Sequence, residues 1–341
     1  PRNHRYSAAS GIYNLRREIS VLYDQQYGVE LDPETEVIAT IGSKEGFAHL
    51  CLAVIGPGDT AIVPAPSYPI HSYGVILAGG SCLALRIGND ERFLGQVDHV
   101  CRTHVPHPRV LFMNYPHNPT AHTVEVEFFR EVVKLARRHG LIVVHDLAYG
   151  GISFDGYRPP SFLQAPGAKE VGVEFTTMSK SFNMAGWRIG YCSGNPTLIA
   201  GLAQVKGYYD YGVFQAIQIA SIIGLRDYEQ LSKLQSQIYQ ERRDVLVDRL
   251  RQIGWPEFDP PRAGMFLWAP IPSEYRSWGS MEFAVRMMED AEVAMAPGIG
   301  FGEDGEGFVR LALIENTQRI QQAARQIGRI MGHWARAGYA F

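Results

Sequence analysis

The run Leu141-Ile142-Val143-Val144 carries no polar side chain, so a strand built from it must be covered on both faces. A half-solvated sheet is thereby excluded at this point, and helices are required above and below it. The sequence supplies them. Just upstream, Phe128, Phe129, Val132, Leu135 and Ala136 form an apolar stripe at helical spacing, and Gly140 ends it. Thr123 reads as the N-cap of that helix, with acidic Glu125 and Glu127 at its positive end. The same order recurs earlier. Val37 to Ile41 reads as a strand, and Gly42-Ser43 turns into a helix with Phe47, Leu50, Cys51 and Val54 on one face. Val173 to Met178 and Arg188 to Cys192 are further strands. Such alternation predicts an α/β domain with a largely parallel sheet.

After about residue 225 the pattern changes. A long helix is predicted from Tyr228 to Ile253, ended by Gly254 and Pro256. Short strands (Met265 to Trp268, Phe308 to Leu313) and helices (Ser280 to Asp290, Thr317 to about Ala335) follow. The expectation is a large domain over 1–225 and a smaller α+β domain over 226–341, joined by the long helix.

Charge and cysteine usage narrow the partners. A net charge of -3 leaves no basic excess to neutralise a phosphate backbone, so nucleic acid is not expected as a partner. The apolar runs are strand-sized, well short of a membrane span. The four cysteines lie far apart without C-x-x-C spacing, which predicts reduced thiols and a cytoplasmic setting. No apolar signal segment follows Pro1-Arg2-Asn3, and residues upstream of Pro1 are expected. The pairs His104/His107 and His117/His122 lack a carboxylate cluster, so no metal is expected there.

In open parallel sheets, ligands bind beyond the carboxyl ends of the strands. Three polar groups fall at such ends: Asp146 and Tyr149 after a strand ending at His145, Ser179 and Lys180 after one ending at Met178, and Ser43 to Gly46 after one ending at Ile41. One pocket can collect all three. A lone lysine is ordinarily a solvated charge, but here Arg188 follows eight residues on, at the start of another strand. A desolvated pocket with a nearby cation lowers an amine's proton affinity, which suits Lys180 to condense with a carbonyl. Arg188 can also grip a phosphate bidentately. The run Gly42-Ser43-Lys44-Glu45-Gly46 offers a helix N-terminus to an anion, although an ordinary serine cap explains it equally. An aspartate after a strand is usually a turn or cap; Asp146 is also the carboxylate placed to keep a pyridine ring protonated. His145 reads as packing behind Asp146 rather than as an acid or base. Asn118, in the rigid turn Asn114-Tyr115-Pro116-His117-Asn118-Pro119-Thr120, and Tyr149 can reach a ring oxygen, and Tyr68 can stack on a planar ring.

Taken together, Asn118-Pro119-Thr120, Asp146-x-x-Tyr149, Ser179-Lys180 and Arg188 resemble the class I/II (fold-type-I) aminotransferases in order and spacing over nearly the whole chain. The runs Ile41 to Gly46, Pro66 to His71, Val144 to Tyr149, Asn183 to Arg188 and Pro297 to Gly302 are similar to those of bacterial alanine (glutamate–pyruvate) transaminases. The resemblance implies a seven-stranded, mostly parallel sheet between helices in the large domain. It also implies pyridoxal 5'-phosphate as cofactor, carried on Lys180, which then shuttles a proton at the substrate Cα. By the same resemblance Asp146 pairs with the ring nitrogen, while Tyr149 and Asn118 hold the ring oxygen. Ser43, Lys44, Thr177, Ser179 and Arg188 cradle the phosphate, and Arg310 clamps the substrate carboxylate. Tyr6 is implied to reach the phosphate of a neighbouring subunit, making a homodimer with shared active sites. Two departures stand out. Ala121 replaces the glycine common after Asn-Pro-Thr, as in the alanine-type relatives, and the family has an N-terminal arm, closing over substrate, before the position of Pro1.

The implied reaction is amino transfer from L-alanine to 2-oxoglutarate, giving pyruvate and L-glutamate. Aspartate, branched-chain or LL-diaminopimelate aminotransferase and a pyridoxal-phosphate β-lyase are the alternatives. Dicarboxylate-specific relatives offer an arginine from the partner subunit; the matching stretch here, Gly207 to Gly212, has none. A ligand-sensing domain fused to a DNA-binding module is the rival outside enzymes; residues 1–341 show no such module or basic segment, so it is not expected.

Overall fold

The computed structural model describes residues 3–339. Seven strands form the main sheet: β1 (Val37–Thr40), β2 (Thr60–Ala65), β3 (Ser81–Arg86), β4 (Pro108–Asn114), β5 (Ile142–Asp146), β6 (Gly172–Thr177) and β7 (Gly190–Gly194). Their spatial order is β1-β7-β6-β5-β4-β2-β3. The pairs β2–β3, β2–β4, β4–β5 and β5–β6 are parallel, whereas β7 runs antiparallel to both β6 and β1. The expected mostly parallel seven-stranded sheet is therefore present. The all-apolar run lies in its middle, with Val143 and Val144 at 0% exposure.

Helices cover both faces. Tyr13–Tyr27 and Val126–His139 bury Leu15, Ile19, Phe129 and Val132 in one core; Ser43–Val54 buries Phe47, Leu50 and Cys51 in the other. Gly140 ends the Val126–His139 helix in the left-handed conformation, φ 66°. Its start corrects the expectation: Glu125, not Thr123, is the N-cap, and no side chain caps it.

Two further boundaries shift where the chemistry lies. β5 extends through Asp146 itself, and β6 stops at Thr177, so that Met178–Ser181 is a single helical turn bearing Lys180. Arg188 does not begin a strand. It sits two residues ahead of β7 with φ 53°, a left-handed backbone that turns its side chain away from the ladder.

The long helix Tyr228–Gln252 leads to a three-stranded antiparallel sheet of β8 (Phe266–Pro270), β9 (Ala296–Pro297) and β10 (Phe308–Ala312), ordered β8-β10-β9. The helices Gly279–Ala291 and Thr317–Arg336 pack on it around Phe283, Ile327 and Trp334. Ala148, Tyr149, Ile152 and Phe154 reach from the large unit into this second core. We propose the division at the start of the long helix, 1–225 and 226–341; residues 1–2 and 340–341 of it lie outside the described ones. Among the described residues no helix is long and apolar enough to cross a membrane.

Candidate active site

The C-terminal ends of β4, β5 and β6 open into one cavity of about 300 Å³, at the small end of ligand pockets. Asp146, Tyr149, Asn118 and Tyr68 line it together with Ser43, Lys44, Thr177, Ser179, Lys180 and Arg188. Of the residues the sequence assigned to cofactor or substrate, Tyr6 and Arg310 alone are not in this wall. A roomier cleft of about 700 Å³ between the 150–164 loop and the helix Tyr228–Gln252 contains none of them.

Lys180 is half-buried, with Nζ 6.0 Å from the centre of the Tyr149 ring. Its ammonium is disfavoured: burial lowers the amine's proton affinity most, and the cations of Arg188 and then Arg310 add to it against the opposing pull of Asp146. The shift is toward the free amine that a nucleophile or proton acceptor needs. Burial and the Asp146 charge act on Tyr149 in the other direction and hold its hydroxyl protonated, a donor.

Asp146 is buried, and two contacts fix its carboxylate. Oδ1 accepts from the Ala148 N–H at 3.2 Å, and Oδ2 lies 3.2 Å from His71 Nε2. An ionised carboxylate can only accept, so Nε2 carries the proton. His71 had no assigned role in the sequence reading. Its signal was a histidine beside Ile70, Gly74 and Val75 on the buried face of the helix Pro69–Leu77. Asn114 was likewise given no role of its own. Its Nδ2 donates to the Asp146 carbonyl at 2.8 Å and its Oδ1 accepts from the Asn118 N–H at 2.9 Å, tying together two chain segments that carry site residues.

His145 points away from the cavity, as successive strand residues must. Its Nδ1 donates to Glu174 Oε2 at 2.8 Å and its Nε2 accepts from the Tyr115 N–H at 3.2 Å, so both nitrogens are occupied structurally. The other histidine pairs do not converge on a metal site: His107 bonds the Cys101 and His139 carbonyls, and His122 pairs with Asp90.

One end of the cavity is built for an anion. Ser43 and Lys44 occupy the first turn of the helix Ser43–Val54, where unpaired backbone N–H groups and the positive dipole end meet. Thr177 caps the Lys180 turn by accepting from the Ser179 N–H at 3.2 Å, with the two hydroxyls 2.9 Å apart. The exposed Arg188 guanidinium leans on the backbone of Gly42, where a Cβ would stand 2.6 Å from Nη2. Gly42 has φ 75°, so both its conformation and this contact require glycine.

Arg310, in β10, reaches toward the same space from the small sheet. Its Nη1 donates to Asn118 Oδ1 at 2.7 Å, and the rings of Phe266 and Phe301 lie 4.1 and 4.7 Å from the guanidinium carbon. Its Nε is buried without a partner. Such a donor carries a desolvation cost unless a ligand acceptor meets it, and a carboxylate suits the planar fork. Tyr6 is 91% exposed, its ring 5.4 Å from that of Tyr211, and it is not part of the cavity lining.

A carboxylate at one end, an amine of reduced proton affinity in the middle and an anion seat at the other end fit pyridoxal phosphate: ring nitrogen, aldehyde and phosphate respectively. The comparisons with known proteins agree. The family model of aminotransferase class I and II matches residues 1–327. The glutamate-pyruvate aminotransferase AlaC of Escherichia coli is 49% identical over 96% of this chain and 79% of its own length. The LL-diaminopimelate aminotransferase of Moorella thermoacetica is 42% identical over 97% of this chain and 84% of its own. Among solved structures, substrate-bound BacF from Bacillus subtilis superposes with a TM-score of 0.91 at 31% identity, over 97% of this chain and 83% of that one.

Proposed function

The chain belongs to the class I and II aminotransferases, enzymes that use pyridoxal phosphate to move amino groups between amino acids and 2-oxo acids, and from that premise we propose L-alanine and 2-oxoglutarate as its substrates. The products are then pyruvate and L-glutamate. The observation that carries this choice is the 49% identity to a glutamate-pyruvate aminotransferase over most of both chains. The Gly207–Gly212 stretch supports the small donor, since it presents exposed Tyr208, Tyr209 and Tyr211 and no arginine; the distal carboxylate of 2-oxoglutarate has to be met elsewhere. Steady-state rates over a panel of amino donors with 2-oxoglutarate test it, and absence of turnover on L-alanine would exclude it. The second reading, LL-diaminopimelate as donor, is supported by relatives at 42% and 41% identity, and the same panel separates the two.

Bound pyridoxal phosphate supplies an aldehyde carbon for amines and a charged heterocycle that takes up the electron pair released at Cα. In our assignment the protein does the rest. Asp146, held by His71, presents a fixed negative charge to the ring nitrogen and keeps that nitrogen protonated. Tyr149 and Asn118, their side chains 3.4 Å apart, hold the ring oxygen, and Tyr68 offers its face to the ring. Ser43, Lys44, Thr177, Ser179 and Arg188 hold the phosphate. Arg310 and Asn118 bind the substrate α-carboxylate, which sets the Cα–H bond within reach of Lys180. Lys180 Nζ, its proton affinity lowered by burial and its cationic neighbours, accepts the Cα proton and later returns it. Tyr6 serves the phosphate of a second subunit. The exposed aromatic face of Tyr6, Tyr208, Tyr209, Tyr211 and Phe214 supports a homodimer, since apolar area of this kind is normally covered.

A further inference from the structure

Behind the anion seat lies a fully buried lysine that the reaction does not use. Lys206, near the end of the helix Pro196–Tyr209, is 0% exposed. Its Nζ donates to both carboxylate oxygens of Glu45, at 3.0 and 3.1 Å, and to Asp210 Oδ2 at 2.9 Å. His49 Nδ1 stands 2.5 Å from Glu45 Oε1 and 3.5 Å from Asp210 Oδ2. Glu45, His49 and Asp210 bring ligand-type atoms within 4.8 Å of one another, and the ammonium bonds the two carboxylates of this trio.

Glu45 is the group through which this cluster meets the cavity. It stands in the first turn of the helix Ser43–Val54, directly after Ser43 and Lys44. Its Oε2 reaches back over Gly42 to accept from the Ile41 N–H at 2.6 Å, which fixes the turn leading into the seat. An acid in a first turn normally favours the helix by satisfying its positive end. Here the same positive end has to attract an anionic ligand, and a bare carboxylate beside it repels that ligand. The buried cation resolves the conflict. Asp210 extends the connection: its Oδ1 accepts from the Gly212 N–H at 2.6 Å, and Gly212 packs on Ala8 and Ala9 of the segment bearing Tyr6.

We propose that Lys206 is a positioning residue for the cofactor phosphate: it pins Glu45 in its turn-fixing place and masks its charge from the anion seat. The proposal rests on Ser43, Lys44 and Arg188 forming that seat. It makes the affinity difference between pyridoxal 5'-phosphate and phosphate-free pyridoxal the informative quantity. A loss of general stability weakens both ligands alike, whereas unmasking Glu45 weakens the phosphorylated one alone.

Equilibrium dialysis of the full chain against each ligand measures the ratio. Lys206→Met is expected to lower the preference for the phosphorylated ligand about tenfold, or ~1.4 kcal/mol, with pyridoxal affinity unchanged. Glu45→Gln keeps the shape and the oxygen facing Ile41 while removing the charge, and is expected to raise the preference about threefold. An unchanged ratio in a folded Lys206→Met variant overturns the proposal. Should that variant not fold, Glu45→Gln decides, and an unchanged ratio there overturns it equally. A wild-type chain that binds both ligands equally removes the seat itself, and the proposal with it.

Discussion

His71 Nε2 lies 3.2 Å from Asp146 Oδ2, and both side chains are buried. Beyond the Ala148 amide, the imidazole is the polar support for the carboxylate that faces the ring nitrogen. A hydrogen bond to a charged group contributes about 1.5–3 kcal/mol. His71→Phe keeps the volume and removes the donor, so the half-reaction with an amino donor should slow roughly 10- to 100-fold at saturating cofactor. Stopped-flow absorbance of that half-reaction measures it; a rate near wild type would show that Asp146 needs no such support.

Arg188 bears on Lys180 as well as on the anion seat. Burial is the largest cause of the amine's lowered proton affinity, and the Arg188 cation is the next. Arg188→Gln removes a repulsion that disfavours the ammonium, so the pH at which half the amine is free must rise. Acylation of Lys180 followed against pH in the cofactor-free chain reads this directly. An unchanged or downward midpoint contradicts the assignment of Arg188 to the same pocket.

Arg310 carries a buried Nε without a partner and an Nη1 bound to Asn118. Replacing it with Gln removes a charged, forked donor, and kcat/KM for the amino acid should fall about 100-fold or more. Cofactor affinity should change far less than substrate affinity, since Arg310 bears on the cofactor pocket only through Asn118 and through its charge on Lys180. A variant that loses cofactor instead of substrate affinity would place the guanidinium at the wrong ligand.

Glu174 is fully buried and accepts from Tyr23 Oη at 2.8 Å, Ser161 Oγ at 2.7 Å, the Phe162 N–H at 2.7 Å and His145 Nδ1 at 2.8 Å. Glu174→Ala strands all four donors, and removing one member of a buried pair costs about 3–5 kcal/mol. Urea unfolding is the check. A loss under 1 kcal/mol, on the order of a surface substitution, would contradict it.

The sheet was legible because its evidence is local: an apolar run too short for anything but a strand, helices of clear period and a glycine at the helix end. The antiparallel placement of β7 was not, since pairing depends on partners distant in the chain. Asp146, Lys180 and Arg188 were legible as a set through their spacing, although the left-handed backbone at Arg188 leaves no mark in the sequence. His71 and Lys206 escaped because each does its work through another side chain. A buried histidine and a buried lysine look, in sequence, like any polar residue on an apolar helix. The fixed position of Asn118 relative to Asp146, through Asn114, is likewise a property of two strand ends brought side by side.

The central claim is that the amine at position 180 carries the cofactor. Borohydride reduction of the purified holoenzyme, followed by peptide mass spectrometry, tests it most directly. The account predicts one phosphopyridoxyl group, on the peptide containing Lys180, and neither label nor transaminase activity in Lys180→Ala. Label on Lys44 or Lys206 instead, or an active Lys180→Ala variant, would contradict it.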